Sequence, residues 1–131
     1  MASPISIVST NKAPGALGPY SQGIIANGFV FVSGQLPVVP ETGNIISDDI
    51  KEQTTQAITN LSKVLEAAQT NLSKVVKTTV YLKDMNHFPS VNEAYEKVIT
   101  CFGKSRPARA CVEVARLPKD VKIEIDAIAL N

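Results

Sequence analysis

The sequence has very few of the residues that usually carry metal ions, nucleophilic catalysis or nucleic-acid stacking. Its 131 residues include one histidine, two cysteines and no tryptophan. With one histidine, Cys101 and Cys111 cannot supply an ordinary tetrahedral zinc site, so we expect no metal. Four phenylalanines and three tyrosines are too few for an aromatic platform that stacks single-stranded RNA.

Charge and hydropathy argue against two further classes of partner. The formal net charge is +1, so no global field attracts nucleic acid, and none is expected as a partner. No apolar run approaches a membrane span, and we expect no membrane association. Free thiols suit a reducing compartment. We predict a cytoplasmic protein, or a mitochondrial one if a presequence has been removed.

The first half of the chain predicts a β-hairpin followed by a helix. Ser21–Ala26 and Phe29–Gly34 are β-rich, and they flank Asn27-Gly28, a dipeptide suited to the positive φ angles of a type I′ turn. Ile50–Ala68 then carries apolar residues at helical spacing. The Ser-Asp-Asp run before it can cap the N-terminus of that helix.

The second half predicts a strand, a helix and a closing hairpin. Val75–Lys83 is rich in β-branched residues. A helix is expected from about Phe88 to Phe102, with Gly103 as its C-terminal stop. Ala108–Ala115 and Val121–Ala129 are then predicted as two strands that pair with each other.

Together these elements predict one α+β domain over residues 1–131, with a single mixed sheet and two helices on one face. An additional N-terminal strand at Ile5–Ser9 would extend the sheet. The last strand alternates apolar residues with Lys122, Glu124 and Asp126, so its second face has mixed character. Packing against other subunits is a natural use of such a face.

Motifs for a catalytic triad, a phosphate loop, a dinucleotide site and a zinc protease are absent. The single histidine, His87, is interpreted as a surface or capping residue rather than a catalytic base, because no nucleophile motif accompanies it. A hydrolase built on this sequence would have to work without a triad or a metal.

Arg109 is the most informative single residue, because it lies in the apolar segment Pro107–Val112. A guanidinium on a core strand is costly unless it meets an anion. One interpretation is a structural ion pair with Glu113, Glu124 or Asp126. The other is a fork that binds a substrate carboxylate through two hydrogen bonds. The residues alone do not choose between them.

Five further residues are considered for a functional role, and three of them also have a structural interpretation. Glu124 could hold or activate water, or it could be a solvated carboxylate. Tyr20 follows a constrained loop that could aim its ring at a site, or it could pack in the core. The glycine of Ser33-Gly34 would let a ligand approach backbone N–H groups. Cys111 is interpreted as a small buried residue rather than a nucleophile.

Five segments of the chain follow the order and spacing of a known family. They are APGALGPYSQG from Ala13, FVSGQLP from Phe31, VVKTTVYLKDM from Val75, VNEAY from Val91, and RPARACVEVARLPKDVKIEIDAIA from Arg106 to Ala129. On these residues the chain resembles the RidA/YjgF family of reactive-intermediate (imine/enamine) deaminases, and its principal RidA branch in particular. The last segment is the most specific of the five.

This resemblance implies a fold, an assembly and an activity. The fold is chorismate-mutase-like, and the assembly is a homotrimer whose sheets form a central barrel with sites in the clefts between subunits. The activity is hydrolysis of 2-iminopropanoate and 2-iminobutanoate to 2-keto acids and ammonia, without a cofactor. These imino acids are reactive products of pyridoxal-phosphate-dependent serine and threonine dehydratases.

The resemblance also implies roles for individual residues. Arg109 matches the arginine that holds the substrate carboxylate, and Glu124 matches the glutamate that positions the hydrolytic water. Cys111 matches a cysteine whose backbone faces the ligand. The remaining matches are site-lining positions: Tyr20, Ser33, Gly34 and Asn92. Two positions depart from the family pattern, since Ala110 replaces a serine and Asp126 a second glutamate, but neither change removes a proposed catalytic group.

Two other functions compete with deamination on the same trimer. Members of the family have been described as ribonucleases that inhibit translation, but the near-zero charge and isolated histidine of this chain give that activity little support. A protein-interaction or chaperone-like role is compatible with the sequence and could coexist with catalysis.

Overall fold

The computed structural model describes residues 4–99 and 106–131. The described residues form one sheet and two α-helices. The strands are β1 (Ile5–Val8), β2 (Gly23–Ala26), β3 (Phe29–Gln35), β4 (Val75–Leu82), β5 (Ala108–Glu113) and β6 (Ile123–Leu130), and the helices are α1 (Ile50–Ala67) and α2 (Phe88–Ile99). The predicted end of the second helix, at Phe102 and Gly103, lies outside the described residues.

Local sequence signals account for the first hairpin and the first helix. Asn27 and Gly28 have φ angles of 52° and 82°, as a type I′ turn between β2 and β3 requires. Asp49 caps α1, and its carboxylate accepts a hydrogen bond from the Glu52 N–H at 2.9 Å. Both predictions are confirmed.

The last two strands do not pair with each other, so the predicted closing hairpin is wrong. The sheet order is β1-β2-β3-β6-β4-β5, and β6 lies between β3 and β4, antiparallel to both. The edge strand β5 runs parallel to β4, because the connection through α2 returns the chain to the end of the sheet at which β4 begins. A strand whose alternate residues are all buried, as in β6, is stabilised by a neighbour on each side.

Both helices cover the same face of this mixed sheet, as predicted. The core lies between them and the inward residues of β3, β4 and β6, among which Val30, Val80, Leu82 and Ile123 are fully buried. At the edge of the core, the hydroxyl groups of Thr78 and Tyr95 share a hydrogen bond of 2.7 Å. This bond joins α2 to β4, and it identifies the side of the sheet on which α2 packs.

The opposite face of the sheet is open and partly apolar. Ile7 is 72% exposed, Phe31 43% and Leu130 44%. Side chains of this kind on adjacent strands form a continuous apolar surface, which is unusual for a protein that functions as a monomer. Neither helix in the described part of the chain is long and apolar enough to cross a membrane.

Candidate active site

A cavity of about 680 Å³ brings together three of the residues singled out from the sequence, Tyr20, Gly34 and Glu124. It lies between the loop before β2, the end of β3 and the start of β6. Its walls are mainly apolar, and the remaining residues that line it include Pro14, Leu17, Leu36, Val38, Pro40 and Pro118. A half-enclosed cavity with few polar groups is the usual form of a small-molecule site.

Glu124 is the only carboxylate among the described residues that line this cavity. Its side chain points to the open face of the sheet, beside Gly34 of β3. A Cβ atom added to Gly34 would collide with the Glu124 carboxylate, so a larger residue at this position would require that carboxylate to move away from the strand. A β-bulge between Val32 and Gln35 places the glycine at this point.

The environment of Glu124 suits proton transfer. Burial raises the pKa of its carboxyl group, and the nearby negative charge of Asp126 raises the pKa further. No hydrogen bond or ion pair to the Glu124 carboxylate is formed within residues 4–99 and 106–131. A half-buried carboxylate without a cation is available to bind water or a substrate proton.

The loop that carries Tyr20 is fastened by Gln22, a residue whose role the sequence did not predict. The buried Gln22 amide donates hydrogen bonds to the carbonyl groups of Thr10 at 3.0 Å and Pro14 at 2.8 Å, and it accepts one from the Thr10 N–H at 2.7 Å. Ser33 also serves the loop, since its hydroxyl donates to the Ser21 carbonyl at 2.5 Å. Glutamine is mostly exposed in proteins, so only its burial in the fold reveals this role.

Arg109 does not line the Glu124 cavity. In the parallel pairing of β4 and β5 it is opposite Thr78, so its side chain is on the helix-covered face. The guanidinium carbon is 4.9 Å from the centre of the Tyr95 ring and 5.4 Å from that of Phe88. These are cation–π contacts, in which two aromatic rings of α2 pack against the guanidinium.

Within the described residues, Arg109 forms no ion pair. Of its three suggested partners, Glu113 accepts a hydrogen bond from the Met85 N–H and Asp126 accepts one from Tyr81. No carboxylate among the described residues contacts Arg109. The expectation of a core strand was also wrong, because β5 is an exposed edge strand. Exposure explains how the cation is tolerated without an intramolecular anion.

Asn92 and Cys111 accompany Arg109. Asn92 is one helical turn from both Phe88 and Tyr95 on α2, and its buried Oδ1 has no hydrogen-bond partner in the described part of the chain. Cys111 is on the same face of β5 as Arg109 and packs against the core. Burial raises the pKa of its thiol, and the Arg109 charge opposes this effect. The neutral, half-buried thiol agrees with the sequence-based interpretation.

The candidate residues therefore form two clusters on opposite faces of the sheet. The Glu124 cluster consists of Tyr20, Ser33, Gly34 and Glu124, and the Arg109 cluster consists of Asn92, Arg109 and Cys111. Strand alternation separates them, since Arg109 is in register with the inward Thr78 whereas Glu124 is in register with the outward Tyr81. One chain cannot bring its own Arg109 and Glu124 onto a single small ligand.

His87, the residue considered as a catalytic base, does not line the Glu124 cavity. His87 precedes α2, and its Nδ1 atom is buried without a hydrogen-bond partner among the described residues. It is half-buried rather than a surface residue, and Asp84 caps the short helical turn that contains it. No group of three or more His, Cys, Asp or Glu side chains in the described ranges could hold a metal ion.

This fold defines a class of small α+β proteins with a single mixed sheet, two helices on one face and a cavity lined by a carboxylate. Residues 10–131 match the family model described as Endoribonuclease L-PSP. The chain belongs to this family, which is the YjgF/RidA family indicated by its sequence motifs.

Similar proteins agree with the family assignment. A RutC family protein of Pyrococcus abyssi is 54% identical over 123 residues, covering 94% of each chain. The 2-iminobutanoate/2-iminopropanoate deaminase of Escherichia coli is 48% identical over 124 residues, covering 95% of this chain and 96% of its own. The crystal structure of E. coli TdcF with bound serine superimposes with a TM-score of 0.92 at 43% identity, covering 96% and 98% of the two chains.

Proposed function

We propose that this protein hydrolyses short 2-imino acids, and the enamines with which they interconvert, to 2-keto acids and ammonia. The observation that carries the proposal is the half-buried Glu124 carboxylate, unpaired within the described residues, in an apolar cavity of suitable size. Relatives named 2-iminobutanoate/2-iminopropanoate deaminase at 48–49% identity support the choice of substrate.

The site is completed by a second copy of the chain. Arg109 and Glu124 face opposite sides of one sheet, and β5, which carries Arg109, is a free edge strand among the described strands. The exposed apolar residues of the open face supply the surface for assembly. We propose a homotrimer in which Arg109 of one subunit faces the Glu124 cavity of the next. In such a closed ring the same interface occurs three times, so every subunit both provides and receives an Arg109.

Arg109 binds the substrate in this proposal. A guanidinium makes two parallel hydrogen bonds to a carboxylate, which orients the substrate as well as holding it. The rings of Tyr95 and Phe88 restrict the guanidinium from one side. Asn92, whose Oδ1 lacks a partner in the described residues, and the backbone at Cys111 complete this wall of the site.

Glu124 moves protons between water and the substrate nitrogen. The water oxygen bonds to C2 of the iminium while Glu124 takes one water proton, which leaves a neutral carbinolamine. Glu124 returns that proton to the amino nitrogen. The C–N bond then breaks, a C=O bond forms, and the hydroxyl proton leaves with ammonia as ammonium. A protonated imine is a strong electrophile, so positioning and one proton carrier suffice without a cofactor.

Tyr20, Ser33 and Gly34 shape the Glu124 side of the site. Gly34 leaves the space for the carboxylate, and Ser33 and Gln22 hold the loop that carries Tyr20. Tyr20 is 54% exposed, and its hydroxyl group accepts a hydrogen bond from the Leu17 N–H at 3.4 Å, so the loop holds the ring where it can cover a bound substrate. Leu17 and Leu36 provide an apolar surface for a short aliphatic side chain.

A coupled assay tests the proposal. Threonine dehydratase generates 2-iminobutanoate, and the decay of the imine absorbance is followed with and without this protein. We expect faster decay with the wild-type chain, no acceleration with Arg109→Ala, and wild-type acceleration with Arg106→Ala, whose arginine pairs with Glu96 on the surface. Equal decay with and without the wild-type protein would reject the proposal.

The family description names an endoribonuclease, so RNA cleavage is the second candidate. The same variants separate the two activities. Cleavage of single-stranded RNA that survives in Arg109→Ala, together with no effect on imine decay in the wild type, would favour the ribonuclease function.

A further inference from the structure

A second carboxylate lies beside Glu124, and a tyrosine holds it in place. Asp126 is two residues further along β6, so its side chain points to the same open face. Tyr81 of β4 is opposite Glu124 in the sheet register, but its hydroxyl donates a hydrogen bond of 2.8 Å to Asp126 Oδ2. The tyrosine thus reaches diagonally to Asp126 and leaves the Glu124 carboxylate free.

We propose that Tyr81 and Asp126 are positioning residues that keep a fixed negative charge beside Glu124 and thereby set how readily Glu124 takes up and releases its proton. This inference rests on the proposed function, in which Glu124 is the proton carrier. It assigns a role to the hydrogen bond between Tyr81 and Asp126, which the proposed mechanism does not use.

The electrostatics agree with this arrangement. The charge of Asp126 adds to burial in raising the pKa of Glu124. The hydrogen bond to Asp126, burial, and the charges of Asp126 and Glu124 raise the pKa of Tyr81, so the phenol keeps the proton that it donates. A carboxyl group that must both take and give a proton works best when its pKa is nearer the working pH.

No cation within the described residues forms an ion pair with Asp126. Lys119 lines the same cavity, but its Nζ donates to the Gly43 carbonyl at 3.3 Å. Lys77 on the open face donates to Thr79 Oγ1 at 3.2 Å, and Lys122 pairs with Asp48 at 3.3 Å. In the proposed trimer, Arg109 of a neighbouring subunit would lower the pKa of Glu124, whereas Asp126 raises it. This effect of Arg109 would be the same in every variant that preserves the assembly.

The test follows the Glu124 carboxyl group directly by ¹³C NMR on the full-length protein labelled at glutamate carboxyl carbons. The Glu124 signal is assigned by its loss in Glu124→Gln. In Asp126→Asn we expect its titration midpoint to move to lower pH, because a like charge has been removed. Tyr81→Phe should give a smaller shift of the same sign, because the Asp126 carboxylate is no longer held. Asp126→Glu should restore a midpoint near that of the wild type.

The pH dependence of kcat/KM for imine hydrolysis should show the same displacement of its acidic limb. Glu93→Gln, which removes a surface carboxylate paired with Lys51, should leave both midpoint and limb unchanged. An unaltered Glu124 midpoint in folded Asp126→Asn and Tyr81→Phe would overturn the inference. That result is distinct from failure of the proposed function, which would appear as equal imine decay with and without the wild-type protein.

Discussion

The two clusters differ in how much of their environment one chain provides. Glu124 lies in a cavity whose glycine, bulge and fastened loop all come from the same subunit. Arg109 lies on an exposed edge strand, supported by two aromatic rings but without an anion from the described part of its own chain. In the proposed trimer, folding of one chain thus prepares the chemical half of the site, whereas the binding half would be completed only by assembly and substrate.

Because of this difference, we expect substitutions in the two clusters to affect ligand binding and turnover differently. Changes in the Glu124 cluster should impair chemistry while ligand binding persists. Changes in the Arg109 cluster should impair ligand binding and turnover together.

The largest expected effect is on turnover in Glu124→Gln. The amide keeps the size of the side chain but cannot carry a proton, so kcat should fall by ~10²-fold or more. Calorimetric titration with 2-ketobutyrate should show affinity close to that of the wild type, while Arg109→Ala should bind it poorly. Normal imine turnover by Glu124→Gln would mean that backbone groups or the substrate's own carboxylate hold the water.

Arg109→Lys should lose somewhat less activity than Glu124→Gln. The ammonium retains the charge but cannot make the planar pair of hydrogen bonds. Loss of one charge-assisted bond costs about 2 kcal/mol, which corresponds to roughly thirtyfold in kcat/KM. Steady-state kinetics measure this loss, and Arg106→Lys is the matched control. Wild-type kinetics in a folded Arg109→Lys protein would make Arg109 a structural residue.

Mixing two inactive variants tests whether the clusters belong to different chains. When Arg109→Ala and Glu124→Gln chains are co-refolded in equal amounts, about a quarter of the intersubunit sites should have both residues intact. Activity should therefore recover to roughly that fraction of the wild-type value, whereas each variant refolded alone stays inactive. No recovery in mixed oligomers, confirmed by mass spectrometry, would contradict a shared site.

Gln22→Ala should have the smallest effect on the chemical step. It should mainly reduce the stability of the fold around the loop beside Glu124. Its buried amide satisfies backbone groups of Thr10 and Pro14, and leaving these groups unpaired costs about 1–3 kcal/mol. Urea unfolding at fixed protein concentration measures the loss, with the exposed Glu41→Ala as control. A free energy of unfolding unchanged from the wild type would mean that water replaces the amide.

Much of the fold was predictable because its signals are local. The Asn27-Gly28 turn, the Asp49 cap and the apolar stripe of α1 each depend on a few neighbouring residues. The pairing of the final strands was not predictable, because sheet neighbours are chosen by contacts distant in sequence. The chain between β5 and β6 gave no indication that β6 would pair with β3 and β4 instead.

The sequence by itself determined the family, the positions of the helices and strands, and the chemical types of Arg109 and Glu124. Only the tertiary structure decided that these two residues face opposite sides of the sheet and that Gln22 fastens the loop. The physical reason is strand register. Arg109 is flanked by the small apolar residues Ala108 and Ala110, so local alternation does not specify its face, and the pairing with β4 does.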